Sequence, residues 1–436
     1  MDPIALSILI FLLLFVLLVI GLPIGFAMAV TGFLGSALLI DFNAALALLG
    51  QTAYETPITY NLSIVPLFIL MGYFASNSGL SEALFNACNT WLGYRRGGLG
   101  LATIGGCGAF AAICGSSIAT AATMTQVALP EMKRFKYDDS LATGAIAAGG
   151  TIGILIPPSV ILVLYGILTE SNIGELFLAG FIPGILTVIF FMVTISIMTR
   201  IFPNSGPRGA KTSVLEKLGA FKNVWSTMVL FLLVIGGIYL GVFSPEEAAG
   251  IGASGALALA LMARTMTWQV FFECLMETVK TSAMIFTILI GAILFNNFLV
   301  LSAVPASIGD WIGGLEMSAT AILVIILLIY LVLGCALDSL AMILLTIPIF
   351  FPVVAKLGFD PIWFGIIVVM VVELGLITPP IGMNVFIIKG MAPDVALGQI
   401  YKGVLPFTVA QILLIALIVI FPAIATWLPS TMAQFQ

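Results

Sequence analysis

Not one histidine occurs among the 436 residues of the chain. That absence removes serine-histidine proteolysis, zinc sites of the His-Glu-x-x-His type, bis-histidine haem and histidine proton relays together. Charge is almost as scarce. Lys, Arg, Asp and Glu make up 8% of the residues and the net charge is -5, which leaves no basic patch for a nucleic-acid partner. No Gly-x-x-x-x-Gly-Lys-[Ser/Thr] loop is present, so ATP hydrolysis through a P-loop is excluded. Cys88, Cys107, Cys114, Cys274 and Cys335 are scattered without a pair at metal-ligand spacing and read as small packing residues. The expectation is therefore no transition metal and no cofactor. No Lys or Arg precedes the first apolar run, which lacks the basic start of a signal peptide.

Apolar residues fill the space that charge leaves. At 61% hydrophobic, the chain carries more apolar surface than a water-facing fold buries. It reads as an all-α polytopic protein of the lipid bilayer, and whatever it moves must move with an ion gradient or down one. Apolar runs predict scaffold helices within 4–75, with an interfacial helix at 42–56 and an amphipathic one at 80–92. A span over 178–201 closes the first half.

The second half repeats the first. At a constant offset of 222 residues Ser117 falls on Ser339, Pro130 on Pro352, Asp138 on Asp360, Gly153 on Gly375, and Pro157-Pro158 on Pro379-Pro380. These residues punctuate backbone, which points to duplication of one structural unit. In the first copy, 99–115 and 118–132 are each too short, at roughly 22–26 Å of helix, for roughly 30 Å of hydrocarbon. Cations flank both outer ends and two serines lie between, so 99–132 is predicted to be a re-entrant hairpin. The run 140–168 is interrupted by Gly149, Gly150, Gly153 and two prolines, and must unwind within the membrane. Such backbone is tolerated where it lines a protected cavity.

Residues 1–202 thus form a first repeat, 203–223 a polar, basic cytoplasmic linker, and 224–436 a second repeat. The latter is predicted to contain scaffold helices at 225–301 (an interfacial segment at 267–280 included), a short helix to Trp311, a hairpin at 318–355, a broken helix at 362–388 and a last span at 404–427. Five crossings per half, hairpins not counted, would invert the second copy. The cationic loops then share a cytoplasmic face, Lys356 excepted, while Glu170, Glu175, Glu246, Glu247, Asp310 and Glu316 fall on the other, and both termini lie outside.

Inverted repeats of this kind bring half-helix ends to the midplane, where carbonyls and hydroxyls hold a cation and helix N-termini face an anion. The candidate ligands for one ion are Ser116, Ser117, Thr120, Gly153 and Pro157. For its counterpart they are Asp338, Ser339, Gly375, Thr378 and Pro379. Hard oxygen donors without histidine favour Na⁺. Ser117, Pro158, Ser159, Ser339, Pro380 and Asn384 are the candidates for binding a small organic anion. Asp338 and Glu373, acids inside the core units, are candidate coupling carboxylates. The competing reading of the small residues is close helix packing, and of Glu373 either a structural acceptor for unwound backbone or a group that is simply protonated.

Gly-Ser-Ser-Ile-Ala-Thr-Ala-Ala-Thr at 115–123, Ile-Pro-Pro-Ser at 156–159 and Ser-Pro-Glu-Glu-Ala-Ala at 244–249 resemble the large membrane subunit of tripartite ATP-independent periplasmic (TRAP) transporters. So do Glu-Leu-Gly-Leu-Ile-Thr-Pro-Pro-Ile-Gly-Met-Asn at 373–384 and the Ala-Pro-Asp-Val-Ala-Leu-Gly-Gln-Ile-Tyr-Lys-Gly-Val-Leu-Pro-Phe ending at 392–407. The resemblance implies a transport domain of hairpins and broken helices that moves as an elevator against a scaffold in a bacterial inner membrane. It further implies Na⁺-driven symport of a small carboxylate, such as sialic acid or a C4-dicarboxylate, delivered by a periplasmic substrate-binding protein. A small four-helix membrane subunit, in some members fused to the large one, is expected here as a separate partner. The alternative is a self-sufficient Na⁺- or H⁺-coupled carboxylate carrier without a binding protein. An intramembrane aspartyl protease would need two facing acids in a Gly-x-Gly-Asp context, which neither Asp338 nor Glu373 has; no enzymatic activity is expected.

Overall fold

A computed structural model describes residues 3–304, 307 and 317–432, and all regular structure in them is helical. The helix anticipated up to Trp311, with Asp310 and Glu316, lies outside the described residues.

The chain opens with α1 (Pro3–Val19) and α2 (Ile24–Leu39), then α3 (Phe42–Ile58), which meets α4 (Ile64–Asn77) across a bend of 57°. Next come α5 (Leu80–Leu92), the two arms of a hairpin α6 (Gly98–Cys114) and α7 (Ser117–Arg134), and the bent pair α8 (Asp139–Leu155) and α9 (Val160–Thr169). Helix α10 (Ile173–Ile201) ends this series. The second series contains α11 (Val214–Tyr239), α12 (Pro245–Met262) and α13 (Trp268–Leu301). A second hairpin, α14 (Ala319–Gly334) and α15 (Ser339–Lys356), precedes α16 (Pro361–Gly375) and α17 (Met383–Met391), with α18 (Leu397–Ile420) and α19 (Ala423–Met432) last.

Several extents differ from the sequence reading, among them α10, which begins at Ile173 rather than at 178. The interfacial segment and span expected over 267–301 are one 34-residue helix, α13. No Pro or Gly falls between 268 and 290 to interrupt it, whereas Pro57 sits where α3 gives way to the bend. The last span runs over Leu397–Ile420 and stops before Pro422, because a residue preceding proline avoids helical torsions. Helix α11 reaches back into 203–223, its start secured by a capping box between Ser213 and Glu216.

Among the described residues α10, α13, α15 and α18 are each long and apolar enough to cross a bilayer, and counting bent pairs raises this to seven spans. Helices α1, α2, α6, α14 and α16 are shorter apolar helices. Large apolar side chains on α1 (Ile8, Leu12, Phe15, Val19), α10 (Val193, Ile197) and α11 (Val229, Leu232) are exposed, as expected of surface that faces lipid in a multi-pass membrane protein. Helices α2 and α13 lie against each other along an edge of small residues, Gly25, Gly32 and Gly35.

The first arms of the two broken helices are buried all round. Every residue from Leu141 to Leu155 on α8 and from Trp363 to Gly375 on α16 is inaccessible. Hairpin one packs on α8, and so does α18 from the other half of the chain, so the two halves interlock. Each broken helix starts at the duplicated aspartate. Asp138 accepts the amide of Ser140 at 2.8 Å, and Asp360 that of Trp363 at 2.8 Å.

The hydroxyl and then the amides of Ser140 and Leu141 hold the Asp138 carboxyl below its ordinary value. The cap is therefore fully present above the unfolded carboxylate pKa and is lost as the pH falls through the lowered folded value. Asp138→Ala is expected to cost about 1 kcal/mol at pH 7. Thermal unfolding in detergent at pH 7 and at pH 3 should show the variant's deficit shrinking in acid; a deficit independent of pH would mean the cap is not electrostatic.

Candidate functional site

Each hairpin turns into a side-chain cap at the start of its second arm. Helix α6 ends at Gly115, whose φ of +63° is a left-handed conformation that only glycine adopts cheaply. Ser116 then caps α7, its Oγ accepting the Ala119 amide at 3.3 Å. At the second tip Asp338 caps α15, its Oδ1 accepting the Ala341 amide at 2.8 Å. Ser116 and Asp338 are counterparts at the 222 offset, so one capping role is filled by a hydroxyl in one copy and by a carboxyl group in the other.

Behind the tips a single carboxylate joins them. Ser117 Oγ donates to Glu373 Oε2, and Ser339 Oγ donates to Glu373 Oε1 at 2.9 Å. Glu373 is 1% exposed. Its counterpart in the first half, Thr151, only returns a hydrogen bond to the Ala148 carbonyl of its own helix, at 2.7 Å.

In front of the tips lies a cavity of about 290 Å³ lined by Ser116, Ser117, Asp338 and Ser339. The first residues of four helices open onto it: Ser117 of α7, Val160 of α9, Ser339 of α15 and Met383 of α17. A helix N-terminus carries roughly half a positive charge, and four such ends face this cavity, which no Lys or Arg lines and Asp338 does. Helices α4 and α13 supply the opposite wall through Tyr73, Ser76, Thr281 and Met284, with Tyr73 and Thr281 hydroxyls 3.0 Å apart. A wider groove of about 730 Å³ between α5 and the segment around Thr212 and Glu216 contains none of the duplicated residues.

The remaining residues singled out by sequence divide between the two halves. In the first they converge. Thr120 Oγ1 donates to the Ser116 carbonyl at 2.8 Å, and a β-carbon at Gly153 would come within 2.7 Å of that same oxygen. Pro157 and Pro158 are buried, the Pro158 carbonyl abuts Gly115, and Ser159 caps α9 through the Leu162 amide. In the second half Gly375 presses on Gly334, and Thr378 bonds back to the Leu374 carbonyl at 2.6 Å. Pro379 and Pro380 are exposed. Asn384, fully buried, donates to the Ala147 carbonyl at 3.4 Å and so ties the second broken helix to the first, while its Oδ1 has no hydrogen-bond partner.

Sequence reasoning passed over four residues. Tyr73, Ser76 and Thr281 are polar positions within apolar helices, which was their available signal. Tyr401, in the 392–407 motif, has its hydroxyl 2.9 Å from the Pro380 carbonyl and 2.5 Å from that of Ile381, which pins the second break.

Residues 11–424 match the family described as "Tripartite ATP-independent periplasmic transporter, DctM component". The C4-dicarboxylate TRAP transporter large permease protein DctM of Pseudomonas aeruginosa is 35% identical over 86% of this chain and 88% of its own length. The sialic acid TRAP transporter large permease protein SiaM of Vibrio cholerae is 33% identical over 85% and 86%. The crystal structure of the Alcanivorax borkumensis YdaH transporter, reported for its unusual topology, superposes with a TM-score of 0.63 at 14% identity, covering 89% of this chain and 90% of that one. That similarity is one of fold.

Proposed function

Because the chain belongs to the DctM component family of tripartite ATP-independent periplasmic (TRAP) transporters, we propose that it is the large permease of such a system, taking up a small organic acid by Na⁺ symport. The observation that carries the reading is the convergence of four helix N-termini and the two duplicated serines on one cavity without a basic side chain. Helix ends and hydroxyls would hold the substrate carboxylate, and carbonyls and hydroxyls of the tips would hold sodium. C4-dicarboxylates and sialic acid, which relatives' names carry, are the first substrates to test. The proposal includes a periplasmic substrate-binding protein, a small membrane subunit, the bacterial inner membrane, and periplasmic termini. It also includes elevator movement of the hairpins and broken helices against α4 and α13, supported by the cavity's position between these groups.

The test is uptake of radiolabelled carboxylates into proteoliposomes holding this chain and its small subunit, with binding protein present or absent, under an inward Na⁺ or a matched K⁺ gradient. Uptake that needs both Na⁺ and binding protein is the expected result. Uptake with Na⁺ alone would favour a self-sufficient carrier, and uptake driven only by a pH gradient would move coupling to Asp338 and Glu373. In the same assay Ser117→Ala and Ser339→Ala should each raise the half-saturating Na⁺ concentration by about tenfold, since each loses an oxygen donor. Unchanged Na⁺ dependence in both variants defeats the site assignment.

A further inference from the structure

We propose that Glu373 is a positioning residue shared by two sodium sites, one at each hairpin tip, and that sharing it makes their occupancies interdependent. This rests on the sodium reading above and goes beyond it. Ser117 and Ser339 line the cavity, whereas Glu373 stands behind them and does not. Both serine hydroxyls donate to the one carboxyl group, so their protons point backwards to it and the oxygen lone pairs are left facing the cavity. A serine hydroxyl otherwise rotates freely. Held from behind, each Oγ presents to a cation the orbital the cation needs, as outer carboxylates do for metal ligands.

The two acceptor oxygens belong to one planar group, reached from two hairpins 222 residues apart. Withdrawing either hydroxyl leaves one buried carboxyl oxygen unsatisfied and frees the group to shift away from the other serine. A sodium ion that fixes one tip therefore prepares the other. The first half has Thr151 where the second has Glu373, and Thr151 is turned into its own helix. The carboxylate is thus one device serving both copies rather than one of a pair.

The test uses sodium itself as probe. Thermal stabilisation of the purified full chain with its small subunit is titrated with NaCl against KCl at constant ionic strength. Wild type should show a Hill coefficient of about two, and Glu373→Gln one of about one with a midpoint raised about tenfold. A glutamine offers one oxygen and one NH₂, so only one serine can still donate to it and the other must turn its lone pair away from the cavity. A Glu373→Gln protein with the wild-type coefficient and midpoint overturns the proposal. Ser339→Ala gives an independent check should Glu373→Gln fail to fold. Interdependence predicts that the remaining site binds sodium more weakly, while independent sites would leave its midpoint unchanged and refute the proposal. If wild type responds equally to Na⁺ and K⁺, the sodium reading itself fails, a result distinct from either variant's behaviour.

Discussion

Gly375→Ala should cut transport by at least about tenfold while leaving a folded protein. A β-carbon at this position would lie 2.5 Å from the carbonyl carbon and 2.6 Å from the Cα of Gly334. Both are backbone atoms, which cannot swing aside as a side chain can. Relief must come from moving the end of α16 away from the end of α14, and Glu373 sits two residues before Gly375 on that same end. The shift draws the carboxylate away from Ser339. Overpacking of this kind costs about 1–3 kcal/mol, small against the whole fold but placed on the group that joins the tips. Uptake is expected to fall by at least about tenfold, the equivalent of about 1.4 kcal/mol. Gly236→Ala, where nothing lies within 4 Å of the added carbon, is the control and should transport normally. Uptake by Gly375→Ala within twofold of wild type, at equal folded protein, would show that the α14–α16 contact is not required.

Gly403→Ala is expected to act on stability instead. Its β-carbon would come within 1.8 Å of the Ser140 carbonyl oxygen and 2.6 Å of its carbon, and Gly144 makes the reciprocal approach to Gly403 at 2.4 Å. Here α8 and α18, from opposite halves of the chain, touch backbone to backbone. No rotamer relieves the clash; the helices must separate along a buried face, and every contact beside it is loosened. A loss of about 3 kcal/mol or more is expected, with a melting temperature lower by about 5 °C or more. Gly398→Ala, on the same helix with open space around it, should differ little from wild type. Equal melting curves for Gly403→Ala and wild type in detergent would refute the packing account.

Much of the candidate site was legible in the residues because its signals are local. The turn Gly115-Ser116 needs a left-handed residue followed by a cap, and Pro157-Pro158 cannot continue a helix; both facts hold whatever surrounds them. The observed arms, 98–114 and 117–134, accordingly differ by a residue or two from the 99–132 expected. The 222-residue offset carried the cap and the double proline to the second half, with Asp338 in place of Ser116, but not the left-handed glycine, whose counterpart is Leu337. It could not say that the copies would diverge, with the first double proline buried and the second exposed under Tyr401.

Composition and period were enough to establish a polytopic helical membrane protein without histidine or P-loop chemistry, duplicated and built around two hairpins and two broken helices, because hydrophobicity and backbone torsion limits act residue by residue. The Glu373 bridge, the scaffold wall of Tyr73, Ser76 and Thr281, and the interlock of α8 with α18 came only from tertiary structure. Ser117 and Glu373 are 256 positions apart, and no local preference encodes which buried carboxylate two distant hydroxyls will share. That pairing is decided when the halves pack and the interior leaves each polar group one partner within reach.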